Sequence, residues 1–237
     1  QGTEIQPQLF ARNLFCLTKY SKGLKAASCP VKAKLDAFAI HPYTFFGTPT
    51  TRAYSSDGGA FGNTPDFKKA LDYATSKGLL LPAGSKQLWA TEFGWLTNPP
   101  GRPGGGTSIG VPPATAATYT SEGIYRLWSW GVTKVFYFHL RDLSEFPAAL
   151  YFWPDGAKVS SEATPKPGLR AFRFPLMAIG TTTTIKVWAH TPCEGVDSTV
   201  AIHASVRSRW REIATLTPDS NSIVSSTVHV PSGTTRV

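Results

Sequence analysis

Up to about residue 175, short apolar runs alternate with longer segments of helical period, which is the pattern of parallel βα units. Residues 8–26 read as a helical stretch, with Leu9, Phe10, Leu14 and Leu17 on one side. Residues 35–40 are an apolar strand that ends in His41-Pro42-Tyr43, and a glycine-rich loop follows. Thr64 at the N-cap, Pro65 at the first helical position, core spacing of Phe67, Ala70, Leu71 and Ala74, and Gly78 as terminator predict a helix marked at both ends. Residues 87–91 form the next strand and run directly into Glu92-Phe93-Gly94-Trp95. After an irregular Pro- and Gly-rich stretch over 97–113, residues 114–130 read as a helix with Ile124, Leu127 and Trp128 inward and Gly131 at its end. A third strand over 134–139 and a short closing helix over 166–174 complete the series.

The pattern changes near Thr181. From there to Val237, 19 of 57 residues are Ser or Thr, and helical period gives way to short alternating segments: Ile185/Val187/Ala189, Val200/Ile202/Ala204, Trp210/Ile213 and Val228/Val230. Turn residues such as Pro218-Asp219-Ser220-Asn221 separate them, as in antiparallel sheets. The expectation is an α/β region over residues 1–180, a linker at 181–184, and a small β-sandwich-like domain over 181–237.

Composition narrows the class. Charged residues are 16% and apolar residues 41% of the chain, which excludes a disordered polymer. Gly (21) and Pro (19), with 7 Trp, 8 Tyr and 14 Phe among them, indicate a loop-rich protein with aromatic-lined surfaces. No apolar run approaches the roughly 18 to 20 residues of a membrane span, and the segment QGTEIQPQLF lacks the pattern of a signal peptide. The net charge of +9 invites a polyanion. Yet apart from Arg12, Lys19, Lys22, Lys25, Lys32 and Lys34, spaced as on a helix face, the bases are scattered. The expectation is a solvated surface and no nucleic acid, with attraction to anionic cell-wall polymers as a minor reading.

Of the three cysteines, Cys16 and Cys29 lie across the expected helix and its exit loop, while Cys193 stands apart near a turn. None has metal-ligand spacing. The first two form either a disulfide, which implies an oxidising compartment, or two buried thiols.

Parallel barrels carry catalytic groups at the carboxyl ends of their strands. Three such ends are visible: His41 and Tyr43; Glu92 and Trp95; Tyr137, His139, Arg141 and Asp142. A carboxylate ending the apolar run Leu88-Trp89-Ala90-Thr91 is costly without a purpose or a partner. Taken singly, Glu92 reads as well as a structural acid, His41 as a core histidine and Tyr43 as a packing residue. Together they supply what a sugar site needs: a carboxylate nucleophile, donors that orient it, and a ring face for pyranose C–H groups.

The segments Asp36-Ala37-Phe38-Ala39-Ile40-His41-Pro42-Tyr43, Leu88-Trp89-Ala90-Thr91-Glu92-Phe93-Gly94-Trp95, Leu140-Arg141-Asp142 and Lys166-Pro167-Gly168-Leu169-Arg170-Ala171-Phe172 resemble strands six, seven and eight of clan A glycoside hydrolases. More narrowly, they resemble secreted bacterial cellulase-like or xylosidase-like (β/α)8 enzymes with a small C-terminal β domain. The resemblance implies the C-terminal part of a (β/α)8 TIM barrel followed by an antiparallel β domain. It implies a retaining O-glycoside hydrolase acting on β-linked oligo- or polysaccharides, extracellular, without metal or cofactor. Glu92 is then the catalytic nucleophile, and His41, Tyr43, Trp95 and Tyr137 bind substrate. Two departures stand out. Tyr137 falls where such enzymes place a Trp, and the Asn-Glu pair that normally carries the acid/base is absent, so strands one to four are expected to be missing. The alternative reading is a non-catalytic carbohydrate-binding or cell-wall-associated protein.

Overall fold

The computed structural model describes residues 4–45, 47–97, 110–143, 146–152, 163–192 and 199–237. Its first helix, α1 (Pro7–Leu14), has proline in the first turn and buries Gln8, Ala11 and Arg12. The helix expected to run to residue 26 stops there. Cys16 takes a φ of 58°, and the chain folds back as an antiparallel hairpin of β1 (Leu17–Tyr20) and β2 (Gly23–Ala26). Gly23, at φ 130°, takes a backbone conformation that side-chain-bearing residues rarely adopt. Cys16 and Cys29 are joined in a disulfide, with Cα atoms 5.6 Å apart, so the bases expected on a helix face sit on and around a clasped hairpin.

β3 (Ala37–Ile40), β4 (Gln87–Phe93) and β5 (Val132–Tyr137) form a parallel sheet in the order β3-β4-β5. The crossovers are α2 (Thr64–Ser76) and α3 (Pro113–Ser129). Thr64 is the first helical residue and not the cap: its hydroxyl donates to Phe61 O at 2.8 Å. Leu88, Ala90 and Phe93 of β4 share one core with Phe67, Ala70, Leu71 and Ala74 of α2 and Leu127 of α3. On the other face of the sheet, Phe136 is 49% exposed and Ala39 and Lys134 are also exposed. A parallel sheet is ordinarily covered on both faces; among the described residues, this one is covered on one. The chain is a mixed α/β protein with several sheets, and among the described residues no barrel closes.

Beyond β5, two short strands, β6 (Tyr151–Phe152) and β7 (Thr164–Pro165), pair ahead of α4 (Pro167–Arg173). β8 (Leu176–Gly180) and β9 (Thr184–His190) then form a hairpin. The run read as a linker is the turn of that hairpin, with Thr181 N donating to Thr184 O at 2.7 Å. β10 (Val200–Val206), β11 (Arg209–Leu216), β12 (Ile223–His229) and β13 (Thr234–Arg236) complete two antiparallel three-stranded sheets, β12-β9-β8 and β11-β10-β13.

Ile185, Val187 and Ala189 alternate into a core with Val200, Ile202, Val224 and Val228. Trp188, on the opposite face of β9, is buried against α3, with its ring centroid 5.4 Å from Tyr125 and 5.5 Å from Trp128. Trp210, expected at the centre of its own pattern, is 59% exposed. Cys193 lies outside the described residues.

Candidate functional site

The carboxyl ends of β3, β4 and β5 lie side by side, so the residues just beyond them share one rim. Strict alternation along β4 would send Glu92 to the same side as the fully buried Leu88 and Ala90. The pairing of β4 with β5 is irregular between Ala90 and Phe93, and Phe93 takes the buried place at 0% exposure. The Glu92 side chain is left 31% exposed. Such register irregularities often re-aim side chains next to functional sites.

Among the described residues, Glu92 has two partners, both on the segment leaving β3. The Tyr43 hydroxyl donates to Glu92 Oε2 at 3.1 Å, and His41 Nδ1 lies 3.5 Å from the same oxygen. Glu92 Oε1 accepts no hydrogen bond from the described residues. Among the described residues, the carboxylate is therefore oriented through one oxygen only.

Rings fix Tyr43 in place. Phe45 stacks on it at 5.0 Å, while Phe146 and Phe138 meet it edge-on at 5.8 and 6.4 Å. Burial pushes the Tyr43 phenol well above its ordinary value, and the hydrogen bond to Glu92 and that residue's charge push it the same way. The hydroxyl therefore remains protonated and donating at neutral pH. His139 stacks on Phe138 at 4.4 Å, and its Nε2 lies 3.4 Å from Phe146 O.

Asp142 and Lys166 tie the loops behind this rim. Lys166 Nζ donates to Asp142 Oδ1 at 2.6 Å, to Thr97 Oγ1 at 2.8 Å and to Pro147 O at 3.2 Å. Asp142 Oδ1 also accepts from Ala149 N at 3.1 Å. Both residues are buried, at 8% and 3% exposure. Burial pushes the Asp142 carboxyl up and the Lys166 ammonium down, and each is opposed by the other's charge. The pair joins the loop after β4, the loop after β5 and the start of α4.

Two expected binding residues are elsewhere. Trp95 is not a rim residue: it is fully buried, donates from Nε1 to Gly47 O at 2.8 Å, and packs against Phe61, Phe93 and Tyr119. A Cβ on Gly123 would come within 2.8 Å of its ring, so glycine at this position of α3 leaves the room that the buried ring fills. Tyr137 packs against Phe93 and Phe172 on the helix-covered side. The ring beside Tyr43 is that of the next residue, Phe138.

Phe138 is found by the alternation already present in the chain: Phe136 and Phe138 fall on one side of the strand, Tyr137 on the other. No sequence signal singled out Phe45 and Phe146, which come from separate loops. Among the described residues, no group of three or more His, Cys, Asp or Glu could hold a metal ion, and no helix is long and apolar enough to cross a membrane.

No protein-family profile matches the sequence, and no curated protein does. Among solved structures, a β-porphyranase of glycoside hydrolase family 86 from the human gut bacterium Bacteroides plebeius is similar at 13% identity and a TM-score of 0.36. The match covers 85% of this chain and 42% of that one, so this chain spans less than half of its length. At that level of likeness, the functional reading rests on the site itself.

Proposed function

We propose that the chain carries the nucleophile side of a retaining O-glycoside hydrolase acting on β-linked glycans. The observation that carries this reading is the convergence of Tyr43 and His41 on one oxygen of Glu92, at the carboxyl ends of adjacent parallel strands, with no hydrogen bond to the other oxygen from the described residues. In the reaction, Glu92 Oε1 attacks the anomeric carbon as the bond to the leaving oxygen breaks, and that oxygen takes a proton from an acid. Water then attacks the glycosyl ester, loses its proton to the same acid/base and releases Glu92. Tyr43 and His41 hold the carboxylate, and Phe138 offers a ring to the sugar.

The second carboxyl group, needed about 5 to 5.5 Å away across the scissile bond, is assigned to strands that the three-stranded sheet does not contain. The fold reading that follows is part of a (β/α)8 barrel, with the C-terminal sheets as an accessory β domain from about residue 181. The uncovered sheet face, with Phe136 exposed, supports it. The disulfide between Cys16 and Cys29 supports an extracellular setting. The second reading, a carbohydrate-binding protein without turnover, draws on the same aromatic rim.

The test uses a 2-deoxy-2-fluoro glycosyl fluoride, whose leaving group departs without an acid. Mass spectrometry should find the label on the peptide containing Glu92, and no label in Glu92→Gln. Labelling at Asp142 or Glu145, or none at all while sugars still bind, would put the binding-protein reading ahead. Glu145 lies outside the described residues.

A further inference from the structure

Two of the N-terminal bases meet two of the scattered ones in the fold. Arg12 of α1, Lys19 of β1, Arg52 of the connection between β3 and α2, and Lys69 of α2 line a pocket of about 460 Å³, together with Ser21 and Ser55. That volume falls within the roughly 300 to 1,000 Å³ usual for ligand sites. The walls are rigid: the hairpin bearing Lys19 is clasped by the Cys16–Cys29 disulfide, and Lys69 stands on a regular helix.

The charges in this pocket are unequally matched. Arg12 pairs with Asp57 at 2.7 Å. Arg52 pairs with Asp66 and donates to Gly62 O at 2.7 Å. Lys19 and Lys69, both exposed, have no carboxylate partner among the described residues. Two ammonium groups without a carboxylate partner and two serine hydroxyls in the same lining suit an oxyanion. Tyr54, fully exposed, adds a ring at the edge of the pocket.

We infer that this pocket binds an anionic substituent, sulfate or carboxylate, of a glycan. The glycan part of the inference rests on the reading of Glu92, while the anion rests on the pocket alone. The connection that carries His41 and Tyr43 at its start carries Arg52 to Ser56 further on, so pocket and rim share one segment. A nucleic acid fits less well: its backbone brings one charge per roughly 1.7 Å of duplex, and here two aspartates stand among the cations.

Binding of the 237-residue protein is measured against dextran sulfate, polygalacturonate, unsubstituted dextran and an oligothymidylate, with inorganic sulfate as competitor. At least one charged glycan should bind, and unsubstituted dextran should not. Which of the two binds separates sulfate from carboxylate. K19Q/K69Q should weaken that binding roughly tenfold at low salt, whereas K186Q/R209Q, which removes the same charge on β9 and β11, should change it less than twofold.

Equal losses in the two double variants, oligothymidylate binding as tight as either glycan, or no binding of either charged glycan would overturn the inference. A protein that binds through Lys19 and Lys69 yet takes no label at Glu92 keeps the pocket and loses the hydrolase reading. The reverse result does the opposite.

Discussion

Tyr43 and Glu92 meet across two neighbouring parallel strands, the Tyr43 hydroxyl donating to Glu92 Oε2 at 3.1 Å. The bond joins the segment leaving β3 to the end of β4. A hydrogen bond to a charged group is worth about 1.5 to 3 kcal/mol. Tyr43→Phe should therefore slow formation of the labelled enzyme by roughly one to two orders of magnitude, without loss of folding. An unchanged labelling rate would show that Tyr43 is a packing residue only.

The pair of Asp142 and Lys166 supports the rim from behind. Asp142→Asn leaves a buried ammonium without its counter-charge, a loss of about 3 to 5 kcal/mol. For a chain of this size that corresponds to a fall in Tm of roughly 6 to 20 °C. Asp142→Leu combined with Lys166→Met should recover most of the loss, because an apolar pair removes the stranded charge. Calorimetry of the three proteins checks this, and a single variant that melts with the wild type would contradict it.

Alkaline pH tests the packing of Tyr137. Burial pushes its phenol up to about 12 from 10.0, against hydrogen bonds that act the other way. Because the folded value lies above the unfolded one, the protonated form is favoured by folding. Its stabilisation is complete below about pH 10 and is lost as pH rises towards 12, to an upper bound of about 2 to 3 kcal/mol. Tyr137→Phe should have a flatter stability profile between pH 10 and 12 by urea unfolding. Parallel profiles would mean that Tyr137 is better hydrated than its packing implies. Tyr43, raised in the same sense, keeps part of the slope in both proteins.

The turn between β8 and β9 should resist limited proteolysis, since its backbone is hydrogen-bonded within the hairpin. Trp188→Ala, which empties the contact with Tyr125 and Trp128 of α3, should cost about 3 to 5 kcal/mol. A single cooperative melt that turns into two transitions in this variant would reveal the C-terminal sheets as a unit of their own. Early cleavage at residues 181–184 in the wild type would instead restore the linker reading.

The amino-acid sequence alone determines the parallel strands, the helices between them and the position of Glu92 at a strand end, because these depend on local hydrophobic period and on terminators such as Gly78 and Gly131. It does not show where the first helix ends, since the spacing of Lys19, Lys22 and Lys25 suits a helix face and a hairpin alike. Nor does it show that residues 181–184 turn a hairpin, since threonines serve a turn as readily as a linker. Tertiary structure decided which aromatic rings face the site. Trp95 went into the core, where Gly123 lets α3 approach it, and Tyr137 went to the helix-covered side while Phe138 lies beside Tyr43. A register irregularity in β4 turned Glu92 to the rim while Phe93 filled the core. The physical reason is that facing depends on pairing between strands distant in sequence: one step of register exchanges the two sides of a strand, and the period of a single segment cannot record it.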